Sequence, residues 1–213
     1  MAASLLGFVA VIALLTVTPG MDTALILRTA AAGAPRQAWG VVLGIQSGTL
    51  IWGVLTAAGV TAIFTASHVA YETLRWVGAA YLVWLGLSLL WSTRRRPAAS
   101  IAGPLFAGPL FAGPLFGGGF RRGLLTNLLN PKMGAFYVAL LPQFIPAGMP
   151  VFRFGVLLAL IHVVLGTAWS ALLVALAHRL RGVLGRPRAR RVLDRVTGTV
   201  LTAFGVRLAL GGP

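Results

Sequence analysis

Thr18-Pro19-Gly20-Met21-Asp22 interrupts an apolar run over about residues 5–27, long enough to cross a bilayer. Pro19 has no amide hydrogen to donate and crowds the turn before it, and Gly20 loosens the helix further. An acid follows two residues later. Irregular backbone at membrane depth is stable only where protein or water takes up the freed carbonyls. An acid buried there marks a functional site, because its burial costs kilocalories. The competing reading puts Asp22 at a helix end, snorkelling toward water beside Arg28. Thr23 to Leu27 continue the apolar run past the acid and favour the interior position.

The remainder of the chain has the composition of a bilayer protein. Of 213 residues, 58% are hydrophobic and 10% charged, where soluble domains carry about a quarter charged. Mean hydropathy is +0.89. The formal charge of +15, from 18 Lys+Arg against 3 Asp+Glu, would suggest nucleic acid in a soluble protein. Here the arginines fall between apolar runs, so they set membrane topology and no nucleic-acid partner is expected. The absence of cysteine excludes disulfides and thiolate metal sites. Met-Ala-Ala-Ser at the start offers no basic n-region, so no removable signal is expected.

The pattern predicts six membrane helices, over about residues 5–27, 39–64, 69–91, 123–141, 151–177 and 192–210. Gly40, Gly44 and Gly48 put small residues on one face of the second, suited to close helix contact. Gln46 and Ser47 are its interior polar residues. Trp76, Tyr81, Trp84 and Trp91 on the third fit an interfacial belt better than a ligand cage. A linker over about residues 92–122 contains three Ala-Gly-Pro-Leu-Phe units between 102 and 116, a low-complexity stretch that reads as a flexible loop.

The halves on either side of that linker, about 4–91 and 123–211, correspond. Thr18-Pro19-Gly20 matches Asn130-Pro131-Lys132, and Arg75 with Gly78 and Trp84 matches Arg195 with Gly198 and Phe204. Three-helix repeats must insert with opposite orientation. The expected fold is therefore an all-α membrane protein: one domain of six transmembrane helices, forming two inverted three-helix repeats with Pro-broken first and fourth helices. Such repeats are a mark of secondary transporters that bind cargo at the midplane. Arg28, Arg36, Arg94 to Arg96, Arg121, Arg122 and the cluster at 179–195 share one side, against Arg75, Arg153 and Arg207 on the other. The positive-inside rule then places both termini outside the cytoplasm.

Several stretches resemble the LysE/RhtB family of amino-acid exporters. They are Thr18 to Asp22, the Arg36/Gly40/Gly44/Gly48 series, Gly78-Ala-Ala-Tyr-Leu-Val-Trp-Leu-Gly86, Gly123-Leu-Leu-Thr-Asn-Leu-Leu-Asn-Pro-Lys132 and Leu140-Leu-Pro-Gln-Phe144. The family pattern has a second proline after the glycine, where this chain has Met21. The resemblance covers the chain apart from the Ala-Gly-Pro-Leu-Phe insert. It implies six helices, a plasma-membrane homodimer, and efflux of amino acids or their derivatives coupled to an ion gradient, with the proton the expected ion.

The residue chemistry fits that implication. A zwitterion needs an anion for its ammonium and a cation or helix N-terminus for its carboxylate. Asp22 supplies the first. Lys132, the chain's one lysine, and the amides around Pro131 supply the second. Alternatively the two charges pair when the site is empty. Thr18 and Gln46 are further binding candidates. Asn127 and Asn130 either bind substrate or bridge broken backbone. Gly155, Ala159, His162, Gly166 and Ser170 share a helical face, so His162 points into protein, as a proton relay beside Asp22 or as a bridge between helices. No cofactor or metal is expected, since one interior acid without cysteine is a poor ligand set. The alternatives are efflux of another small cation or drug, and a membrane assembly factor. No acid/base pair, metal triad or nucleophile elbow points to an enzyme.

Overall fold

The computed structural model describes residues 2–66, 68–92, 115–177 and 187–210. Every regular element among them is helical. The segment expected to be one broken helix is two: α1 (Ala2–Val17) and α2 (Met21–Ala31), with axes bent by 52°. The amide of Thr18 makes the last bond of the α1 ladder, to Leu14 O at 3.0 Å. Pro19 then has nothing to donate, and extended Gly20 (φ −138°, ψ −162°) starts α2. The second helix runs to Ala31, past the expected end, and Gly33 at φ +76° makes the exit turn.

The elements that follow are α3 (Pro35–Ala66), α4 (His68–Ser92), α5 (Leu115–Leu128), α6 (Pro131–Ala135), α7 (Val151–Ala175) and α8 (Pro187–Ala209). A second break separates α5 from α6. Asn130 caps α6 by accepting the Lys132 amide at 3.1 Å, and Pro131 occupies the first turn, where no amide is needed. The chain then widens into a π-turn (Phe136–Leu140) and tightens into a 3-10 turn (Leu141–Phe144).

The linker ends earlier than its sequence suggests, because α5 opens at Leu115. Its glycines read as loop in isolation, yet here they let two backbones touch. A Cβ on Gly119 or Gly123 would stand 2.3 and 2.1 Å from the Gln37 and Val41 carbonyl oxygens of α3, and one on Gly44 would stand 2.1 Å from Phe120 O. Each helical glycine costs about 1 kcal/mol against alanine, and the close packing offsets it. The Ala-Gly-Pro-Leu-Phe units up to residue 114 lie outside the described residues.

The most extensive pairings are α3 with α5, α4 with α8, and α3 with α7, while α1 and α2 both lie on α7. One core gathers Phe8, Phe136, Leu141, Phe144 and Leu158, with Phe8 edge-on to Phe144 at 5.5 Å. A smaller one holds Ile26, Leu27, Val41, Ile45 and Leu173 around α2. Trp76, Trp84 and Trp91 are exposed, as a belt requires and a cage does not.

Among the described residues, Pro35–Val60 and Val151–Ala175 are long and apolar enough to cross a membrane, and the bent α1–α2 pair makes a third candidate. The other three expected spans do not meet those criteria among the described residues. Trp76–Ser88 in α4 is a shorter apolar stretch. Arg121 and Arg122 sit within α5, which the second break also shortens, and four arginines occupy the first half of α8.

Candidate functional site

The two breaks meet, and each supplies what the other lacks. Leu15 O, in the last turn of α1, finds no amide four residues on, because that residue is Pro19. Lys132, from the second break, donates its Nζ to Leu15 O at 2.7 Å and Thr18 O at 3.2 Å. In the other direction, Asp22 at the start of α2 accepts on Oδ2 from Asn127 Nδ2 at 3.0 Å and Asn130 Nδ2 at 3.4 Å. Asn130 thus has two tasks, its Oδ1 capping α6 while its Nδ2 holds the acid. Asn127 Nδ2 also reaches Thr49 Oγ1 at 3.3 Å. The Thr18 hydroxyl donates to Leu14 O at 2.7 Å and bonds the Thr197 hydroxyl of α8.

A cavity of about 60 Å³ opens at this junction, room for about four waters. The polar candidates for binding or proton coupling all line it, namely Thr18, Asp22, Gln46, Asn127, Asn130, Lys132 and His162, whereas Ser47 does not. Gly20 lines it too, whereas Pro19 and Pro131 shape the backbone behind it. Lys132 is placed differently from a free carboxylate binder, because its ammonium donates to the carbonyls of Leu15 and Thr18 at the first break. Its charge and that of Asp22 still act on one another across the site.

His162 is buried on the expected face of α7 with Gly155, Ala159, Gly166 and Ser170. Its Nδ1 is 2.9 Å from the Tyr137 hydroxyl, its ring stacks on Tyr137, and Phe136 meets it edge-on. Both aromatics come from the π-turn, a distortion that recurs at functional sites. The histidine therefore bridges α7 to the second break while its ring also lines the cavity.

Four oxygen or nitrogen atoms on cavity-lining residues are buried without a hydrogen-bond partner: Asp22 Oδ1, Gln46 Oε1, Asn127 Oδ1 and Trp169 Nε1. Sequence reasoning had not singled out Thr49, Tyr137, Trp169 or Thr197. Thr49 had a signal, since it follows Gln46 by three residues on one helix and so shares its face. Tyr137 and Thr197 had none, because their partners lie on other helices.

Residues 13–212 match the family model for the LysE type translocator. The chain belongs to that family. It is 30% identical to the homoserine/homoserine lactone efflux protein of Salmonella typhi over 92% of this chain and 91% of the relative. Identity is 25% to the threonine efflux protein of Escherichia coli K12, over 91% of each chain. It is 26% to an uncharacterized membrane protein of Bacillus subtilis, over 97% of this chain and 99% of the relative. No solved structure matches. This LysE type translocator is a membrane protein, and the junction of its two helix breaks is its candidate site.

Proposed function

We propose that this translocator is a secondary transporter that exports amino acids or amino-acid derivatives from the cytoplasm, driven by a proton gradient. The observation that carries the reading is the acid of the polar cavity, Asp22, held by Asn127 and Asn130 where two helix breaks meet in an apolar chain. That is the arrangement by which broken helices form a cargo site between repeats. The names of the Salmonella typhi and Escherichia coli relatives support amino-acid efflux.

The same reading takes the chain as one domain of six spans in two inverted repeats, about 4–91 and 123–211, with both termini outside the cytoplasm and two copies in a homodimer. The packing supports the repeats. Exchanging first for fourth, second for fifth and third for sixth spans carries the α4–α8 and α3–α7 pairs onto themselves, and the α3–α5 pair onto α7 with α1 and α2. In transport, Asp22 takes the substrate ammonium or the coupling proton, Asn127, Asn130, Thr18 and Gln46 line the path, and Lys132 holds the α1 end in place. His162, bonded to Tyr137, is the second proton-coupling group.

The test is a flux screen in proteoliposomes across the common amino acids, with and without an imposed pH gradient. Gradient-stimulated flux of at least one amino acid is expected. Flux that ignores the gradient, or no flux of any amino acid, would remove the reading.

A further inference from the structure

We propose that the cavity contains a cradle of three acceptors built for a primary ammonium group, so that this site selects cargo by its unsubstituted –NH3+. The inference rests on the export reading for its cargo and adds which end of the cargo is recognised, and how. Asp22 Oδ1, Gln46 Oε1 and Asn127 Oδ1 belong to three residues that line one cavity, and each is buried without a partner. Buried oxygens left unsatisfied are rare in folded proteins, and each forfeits the hydrogen bonds it had in water. Three together in a space of about 60 Å³ call for a small, donor-only, positively charged group. An ammonium carries three N–H donors and no acceptor, matching them one for one.

Two of these oxygens pack against glycine backbone, which leaves room for the amide groups that carry them. A Cβ on Gly48 would stand 2.7 Å from Asn127 Oδ1, and one on Gly166 would stand 2.8 Å from Gln46 Oε1. Glycine at both places withholds the methyl group that would crowd each acceptor. In two of the three groups the other half is engaged: Asp22 Oδ2 by Asn127 and Asn130, and Asn127 Nδ2 by Asp22 and Thr49. Those bonds fix Asn127 with its amide toward the acid, and so fix which of its atoms stays free. Asp22 adds the charge, and the two neutral oxygens add the count. A site that hydrogen-bonds an N–H rejects analogues lacking it, because a buried acceptor is then stranded against carbon.

The purified full chain in detergent is titrated with L-threonine, L-homoserine and the N-methyl and N,N-dimethyl derivatives of each, and binding is read as thermal stabilisation. This readout does not depend on transport, so binding without flux would sink the export reading and leave the cradle standing. Affinity should fall about tenfold for each N–H replaced by methyl. In Gln46→Met one acceptor is gone, and the preference for primary over N-methyl cargo should shrink to about onefold. Because that is a ratio within one variant, poor expression cannot mimic it. Equal affinity for all three members of a series, or no binding by any, overturns the proposal. So does an undiminished preference in Gln46→Met, or displacement of the amino acids by sodium chloride against a choline chloride control, which would assign the oxygens to a metal cation.

Discussion

Lys132→Met tests whether the lysine serves the acid or the broken helix. Two carbonyls at the α1 end, Leu15 O and, just past it, Thr18 O, lose their lysine donor in this variant. A buried group stranded in this way costs about 1–3 kcal/mol, so the pair forfeits roughly 2–6 kcal/mol, and methionine recovers part of it through packing. A net loss of about 3 kcal/mol corresponds to a melting temperature lower by roughly 6–12 °C for a chain of this size. The assay is tryptophan-fluorescence melting of purified protein in detergent, with Asp22→Asn introduced alone and on top of Lys132→Met. If the lysine only neutralised Asp22, removing both charges would restore the wild-type melt, as for a buried pair deleted together. The hydrogen bonds say otherwise: the carbonyls still lack the lysine donor, so the double variant should still melt about 4–8 °C below wild type. Full recovery in the double variant, or no loss in Lys132→Met alone, would refute the capping role.

Asp22→Asn keeps the shape of the side chain and should yield an assembled protein without gradient-driven efflux. Transport at the wild-type rate would make Asp22 a helix-end residue with no part in the chemistry. Gly123→Ala sets a methyl group against the Val41 carbonyl and should cost at least about 2 kcal/mol by parting α3 from α5. Gly59→Ala, whose added carbon meets nothing within 4 Å, should melt as wild type, and equal melting of the two would show that the close approach is not needed. Reporter fusions at both termini should read as extracytoplasmic and one between residues 178 and 186 as cytoplasmic. The reverse pattern would overturn the orientation assigned to the repeats.

Much of the site was legible because its residues break local rules. A proline and an acid inside an apolar run announce a break and a polar interior, and Asn130-Pro131-Lys132 does the same in the second half. Small residues at four-residue spacing marked the face of α3 that α5 touches. His162 was placed inward by the glycine, alanine and serine that share its stripe. What escaped was the contact of Lys132 with backbone. Leu15 carries no side-chain sign that its carbonyl will hold an ammonium from another helix. A threonine such as Thr16 is equally mute, because its hydroxyl bonds the carbonyl four residues back and reads as ordinary helix. The start of α5 escaped for the opposite reason: three consecutive glycines look like loop until a facing helix explains them.

The mutual capping of the two breaks also sets an order on how the protein can be made. Leu15 O, Thr18 O and the Asp22 carboxylate find their donors 105 to 117 residues further along the chain. At about 5–20 residues per second, a ribosome needs roughly 5–20 s to deliver those partners. Throughout that interval the first half is in or near the bilayer with an unmatched acid and an uncapped helix end. The nascent site must borrow water or insertion machinery until Asn127, Asn130 and Lys132 emerge. A ribosomal pause or a truncation before the second break therefore leaves exposed to quality control the polar groups that the finished protein keeps inside.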